Sequence, residues 1–421
     1  MRIFFFSLFL SFLFTQEHPS THQTQSEKYK GKPVPSVDIA EVRTGLDVLL
    51  SDSLHIIQGK SIALVTNQTG IDQNGTPNYE RLMNLDNINL KVIFSPEHGL
   101  FGEAAAGEKV SYGVHEIELP TVISLYGKNR KPTSEMLKDV DIILYDIQDI
   151  GARFYTYITT CGLVMEAAGE LGIPVVILDR PNPIRGDRIE GPILNKEYQS
   201  FVGYYPIPIQ YGLTIGELAQ MIIGENWIDS KPTLSVVQVE GWTRQLWFDE
   251  TTLPWVLPSP NIPDLETAIV YPGMCLIEAT NVSEGRGTLH PFQQFGAPWI
   301  DAKILSQALN KKRLPGVVFS PISFTPTTIP GMANNPKYEN ELCHGIEIHI
   351  TDRNQYQSIL VGISIISTID ELYPEDITFN EKWFAKLWGS DSWKDALQNI
   401  DSETILYDTN FDELRNKYIL Y

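Results

Sequence analysis

Short, nearly unbroken apolar runs recur through the first half of the chain, and each ends in a polar cluster. They fall at 61–65 (SIALV), 90–94 (LKVIF), 120–125 (PTVISL), 140–145 (VDIILY) and 173–178 (IPVVIL). Runs of this length and composition suit strands buried on both faces of a parallel sheet. Between the last two, Tyr157, Cys161, Val164, Met165 and Ala168 stand at helical spacing within 154–171, and Gly172 is a natural stop. Thr214 with Glu217 three residues on predicts a capped helix over 214–223. Strands alternating with helices predict a doubly wound, mainly parallel α/β domain. Residues 253–263 carry Pro254, Pro258, Pro260 and Pro263, so they form neither a continuous helix nor a central strand. The domain boundary is placed there, which gives an α/β domain over 42–263 and a smaller α+β domain over 264–421. In the second, 345–350 and 358–366 read as strands, and 304–309 and 383–387 as helical.

The N-terminus has a different texture. Residues 2–14 (RIFFFSLFLSFLF) put one positive charge before an apolar run too short to span a bilayer but right for a signal-peptide core. The expectation is a signal peptide over 1–15, a polar linker over 16–41, and a periplasmic or secreted protein. No later segment approaches the ~18 apolar residues of a membrane span.

Composition narrows the class. With 421 residues and 43% hydrophobic positions the chain has ample material for packed cores. Its 52 acidic and 32 basic residues leave a net charge of −20, which argues against a nucleic-acid or anionic-membrane surface. Cys161, Cys275 and Cys343 are too few and too far apart for a disulfide framework or a zinc site.

In doubly wound sheets, ligands bind beyond the carboxyl ends of the strands. The first predicted strand is followed there by Asn67 and Gln68, and the second by Glu97 and His98. The fourth leads into Asp146, Gln148, Asp149 and Arg153, the fifth into Asp179, Arg180 and Asn182. Any one of these is an ordinary cap or turn former; together on one rim they predict a polar cleft. A second cluster, 278–288, holds Asn281, Glu284 and Arg286, with Gly285 and Gly287 letting the backbone bend around the arginine. Other motifs lead nowhere. Gly102 and Gly107 have phosphate-loop spacing, but Glu108-Lys109 follows instead of Lys-Ser/Thr. No dinucleotide fingerprint follows a strand, and Thr stands where a G-x-S-x-G elbow needs Ser, at Thr214. Glu347 and His349 share a strand face without further His or Cys nearby, so no metal is expected. A cleft of carboxylates, amides and arginines without cofactor signals fits glycoside hydrolysis. Phe154, Tyr155, Tyr157, Trp242, Trp255 and Trp299 are available to stack on sugar faces.

Five stretches carry a family resemblance: 95–102 (SPEHGLFG), 146–155 (DIQDIGARFY), 178–183 (LDRPNP), 258–263 (PSPNIP) and 281–288 (NVSEGRGT). In this order they resemble the signatures of the NamZ-type exo-β-N-acetylmuramidases, long catalogued as a domain of unknown function. The likeness runs from about Gly45 to the C-terminus. It implies a Rossmann-like larger domain, a smaller C-terminal domain and an active-site cleft between them. It further implies cofactor-free release of terminal β-linked N-acetylmuramic acid (MurNAc) from the non-reducing end of peptidoglycan fragments, the partners being MurNAc–GlcNAc oligosaccharides or muropeptides. On this reading the catalytic candidates are Glu97, Glu284, Asp149 and Asp146. The substrate-binding candidates are Asn67, His98, Gln148, Arg153, Arg180, Asn182, Asn281 and Arg286. Glu97 is the first choice of general acid. Arg153, Arg180 or Arg286 would grip the lactyl carboxylate that distinguishes MurNAc. Asp146 and Asp149 would orient the substrate's own acetamido group in a substrate-assisted reaction; the alternative is water activated by Glu284. Two rivals are a non-catalytic muropeptide-binding protein on the same fold and a cell-wall esterase or amidase, which lacks a recognisable nucleophile motif.

Overall fold

Six of the strands are parallel. They are β1 (Ser61–Thr66), β2 (Asn89–Ser95), β3 (Thr121–Ser124), β4 (Ile142–Asp146), β5 (Val175–Leu178) and β6 (Leu234–Val237), in spatial order β3-β2-β1-β4-β5-β6. Central β4 and β5 are buried along their whole length, as their unbroken apolar runs predict. The edge strand β6 was not anticipated; its pattern is mostly half-exposed and too short to stand out. Helices α1 (Gly45–Asp52), α2 (Asn78–Met83), α3 (Tyr157–Leu171) and α4 (Ile215–Gly224) accompany this sheet. Gly172 closes α3 in the left-handed conformation (φ 67°), and Thr214 with Glu217 forms the capping box that starts α4.

The computed structural model describes residues 39–105, 108, 119–400 and 409–421. The expected signal peptide and nearly all of the linker lie outside the described residues, as do the last two residues of the 102–107 glycine stretch. Ile39–Tyr421 forms one compact unit. Its second half begins with α5 (Leu265–Met274), which runs into a tight 3₁₀ turn at Cys275–Ala279. An antiparallel sheet follows, of β7 (Gln294–Ala297), β8 (Val317–Phe324) and β9 (Cys343–Ile350) in order β7-β9-β8, with α6 (Ala302–Lys312) beside it. Helices α7 (Ser358–Leu372), α8 (Glu381–Trp388), α9 (Trp393–Gln398) and α10 (Thr409–Arg415) complete the chain.

The strand expected at 358–366 is instead the first part of α7. Every residue from Ser358 to Ile369 is buried, so no polar face marks the helical period, and β-branched content alone misleads. Packing between α5, α6 and α9 overrides that preference. A Cβ on Gly362 would stand 2.5 Å from the Gly273 carbonyl oxygen, so α5 and α7 cross backbone to backbone. This close crossing fixes the end of α5 and hence the turn that carries Glu278.

Candidate active site

The loop after β2 turns sharply. His98 (φ 69°) and Gly99 (φ 80°) both take the left-handed conformation, which swings Glu97 and His98 over the strand end. His98 Nδ1 lies 2.7 Å from the Ala104 carbonyl oxygen, which only accepts, so Nδ1 is the donor and Nε2 of the neutral ring is the acceptor. Burial pushes His98 down, with the Arg286 charge adding to it, and this outweighs the opposing pull of Glu97. Glu97 accepts a 2.9 Å hydrogen bond from Thr156, the residue preceding α3, and so faces the positive end of that helix. Beside it, burial first and the Glu97 charge second push the Tyr126 phenol up to about 12.

These residues border a cavity of about 320 Å³, at the small end of ligand sites. Its floor is aromatic: Phe154 and Phe292 meet Tyr271 edge to face, with ring centroids 5.5 and 4.8 Å away. The opposite wall comes from the second half of the chain. Gly285 and Gly287, both left-handed (φ 79° and 81°), bend the backbone tightly around Arg286, as the sequence suggested. Arg286 donates from Nη2 to Glu278 at 2.8 Å, and its Nε lies 3.5 Å from Glu284. Burial works against its charge, but the two carboxylates outweigh it and raise the guanidinium pKa. Nη1 makes no hydrogen bond among the described residues. A second cavity of about 310 Å³ adjoins the first; Glu278, Arg286 and Trp383 of α8 border both. Buried Glu284 faces only the second, 3.1 Å from Lys337 Nζ.

Other expected site residues are consumed by the fold. Asp146 is fully buried, accepting from Arg180 Nε at 2.5 Å and Asn78 at 2.8 Å. Arg180 spends its remaining reach on the Ile71 carbonyl, at 2.9 Å. Asp149 accepts from the Gly151 amide and the Tyr211 hydroxyl, and burial pushes its carboxyl up to about 7. Arg153 donates to the carbonyls of Pro192, Ile207, Leu387 and Trp388; the last two end α8, whose dipole complements the cation. Burial pushes Arg153 down to about 9. Asn182 ties Leu213 to Ile184, and Asn281 ties Asp376 to Thr378. Asn67 caps its own turn at Thr69, and Gln148 donates to Asp149 and Pro181 carbonyls. Gln148 and Arg180 do border a void at the switch between β1 and β4, but at about 20 Å³ it has room for about one water. Phe154, Tyr155 and Tyr157 line the first cavity, whereas Trp242, Trp255 and Trp299 line neither cavity.

Sequence reasoning missed Tyr126, Glu278 and Trp383. Tyr126 follows the third predicted strand, the same signal that singled out Glu97. Glu278 opens the 278–288 cluster, but Arg286 was read with Glu284 as its carboxylate rather than with Glu278. Nothing local marks Trp383. Glu347 and His349 form a half-buried 3.4 Å pair. No cluster of three metal-ligating side chains occurs among the described residues.

Fold and site together define a Rossmann-type protein whose ligand crevice carries carboxylates, a histidine and an arginine in place of a phosphate loop. The particular family follows from comparison. A family model described as exo-beta-N-acetylmuramidase NamZ, N-terminal, matches residues 62–266, and its C-terminal counterpart matches 269–421; the chain belongs to this glycoside hydrolase family. It is 47% identical over 388 residues to the peptidoglycan beta-N-acetylmuramidase NamZ of Bacillus subtilis, covering 90% of this chain and 92% of the relative. Two crystal structures of DUF1343 family proteins from Bacteroides fragilis share the fold, each spanning 90% of this chain and 99% of the other. The first has a TM-score of 0.82 at 36% identity, the second 0.70 at 32%. The resemblance and the α/β architecture expected from sequence are both borne out.

Proposed function

We propose that the chain hydrolyses the terminal β-linked MurNAc from the non-reducing end of peptidoglycan fragments, in an exported setting. The observation that carries this reading is one monosaccharide-sized chamber holding both Glu97 and an arginine, Arg286, with Nη1 still open to a ligand. On this reading Glu97 protonates the leaving oxygen, a role its position on the chamber wall supports. The Arg286 fork suits the lactyl carboxylate, which N-acetylglucosamine lacks. Asp146 and Asp149 have no face on the chamber, so the second carboxylate of the reaction passes to Glu278. With an acid and an orienting carboxylate present, attack by the substrate's acetamido group needs no cofactor. Incubation with MurNAc–GlcNAc should release free MurNAc, and NMR of the first-formed product should show the β anomer. First-formed α product would exclude acetamido assistance, and no MurNAc release would end the muramidase reading. Export rests on the 2–14 apolar run, and cell fractionation finding the protein only in the cytoplasm would refute it.

A further inference from the structure

The two adjoining cavities are alike in volume, about 320 and 310 Å³, but differ in enclosure and in chemistry. The first is the more enclosed and is floored by aromatic rings. The second is more open and is lined by Met332, Ala333, Asn334, Asn335 and Pro336, with Trp383 at the shared wall. Glu278 is a carboxylate bordering both, and in most glycosidases the scissile bond lies between carboxylates. A substrate whose terminal sugar fills the first chamber therefore leaves it past Glu278. We infer that the second chamber seats the leaving sugar, of the N-acetylglucosamine class, and that the Asn334 and Asn335 side chains read its hydroxyl and acetamido groups. This rests on the muramidase reading above.

The chamber is built rather than incidental. Its loop is fastened to the PSPNIP segment by Asn261, which donates to the Met332 carbonyl at 2.7 Å. It is bolted to the segment carrying Glu278 and Glu284 by Lys337, whose ammonium reaches the carbonyls of Ile277, Glu278 and Val282 at 3.0–3.2 Å. Asn335 is held in the left-handed conformation (φ 50°), its amide donating to Thr328 Oγ1. The side chains of Asn334 and Asn335 are exposed and make no hydrogen bond among the described residues. Glu284 Oε2, buried in the chamber wall, is paired with the Lys337 ammonium at 3.1 Å and accepts no hydrogen bond among the described residues. Charge selects the class of occupant. Glu278 and Glu284 are balanced by Arg286 and Lys337, which suits a neutral sugar better than an acidic stem peptide. The apolar faces of Met332, Pro336 and Trp383 suit a pyranose ring.

The test uses the full chain with Asn334→Ala and Asn335→Gly; glycine tolerates the left-handed backbone. Each variant is assayed on MurNAc–GlcNAc and on 4-nitrophenyl β-MurNAc, whose leaving group needs no amide partners. We expect kcat/KM on the disaccharide to fall about tenfold, the scale of one or two hydrogen bonds, and to stay within about twofold on the aryl substrate. Product inhibition by free N-acetylglucosamine should weaken while inhibition by free MurNAc holds. Equal losses on both substrates would overturn the assignment. So would an effect seen only when a stem peptide is attached, which would make the chamber a peptide seat. Wild-type protein that cleaves neither substrate would sink the muramidase reading itself, and the chamber assignment with it.

Discussion

Two regions at the carboxyl ends of the same sheet look alike in sequence and behave oppositely in the fold. Around β1, β4 and β5, Asp146 meets Arg180 and Asn78, and the void left at the switch point is about 20 Å³. Beyond β2 and β3, Glu97, His98 and Tyr126 border a cavity about sixteen times larger, 320 Å³ against 20 Å³. The first is where dinucleotide proteins of this topology hold their ligand. Here an ion pair and the 253–256 segment fill it, and the roomy cavity lies to one side, at the neighbouring strand ends. A polar residue at a strand end is thus a candidate only until its partners and its access are counted; Asp146 is fully buried against Arg180 with no face on a cavity, whereas Glu278 pairs with Arg286 and still borders both chambers.

The contrast breaks most visibly on the two acids. Glu97→Gln should lower kcat/KM by about 10³-fold, within the usual range for a lost general acid, while thermal melting stays near wild type. Asp146→Asn should do the reverse. Leaving Arg180 buried and short of its counter-charge should cost about 3 kcal/mol of stability, read by denaturant unfolding, with kcat/KM of the folded fraction retained at low temperature. Loss of activity without loss of stability in Asp146→Asn would put the switch point back into the site.

A smaller effect separates the arginines. Arg286→Lys keeps a charge but loses the planar fork, and should erode the preference for MurNAc over GlcNAc substrates about tenfold. Arg153→Lys should leave that preference unchanged and lower stability by about 1–3 kcal/mol, because one ammonium cannot reach four carbonyls. Altered sugar preference in Arg153→Lys, with none in Arg286→Lys, would reverse the assignment.

The sheet was legible because parallel strands buried on both faces leave unbroken apolar runs, and five of the six stood out. The motif residues were legible too, but their division of labour was not. Asp146, Arg180 and Arg153 carry the residue types of an active site, and what removes them is partners 34 to 235 positions away in the chain. Sequence spacing holds no record of such pairings. Arg286 is the instructive exception: Gly285 and Gly287 announce a bend that pushes a side chain outward, and the chain bends there. The helix α7 failed for the opposite reason, since uniform burial erases the period on which the reading depends.

The smallest expected effect concerns Asp149, buried on the filled side of the comparison. Burial raises its carboxyl from an ordinary value of about 3.9 to about 7 in the fold. The native state therefore keeps a proton that the unfolded chain releases, so this contribution is present below about pH 4 and is lost as pH rises toward 7. Glu190 and Asp179, raised by burial to about 7 and about 6, act in the same sense. His98, pushed down by burial, opposes them on the acid side, where charging the buried ring costs stability as pH falls below about 6.5. Asp149→Asn imitates the protonated acid: its Oδ1 can accept from Gly151 and Tyr211 as the carboxylate does, and it has no proton to lose. The variant should thus narrow the stability difference between pH 6 and pH 8, by about 1 kcal/mol in urea unfolding, without abolishing it, because Glu190 and Asp179 remain. Its kcat/KM at pH 6 should stay within about threefold of wild type, since the side chain has no face on either chamber. An unchanged stability profile would mean that Asp149 does not carry the proton, and a large loss of turnover would return it to the reaction.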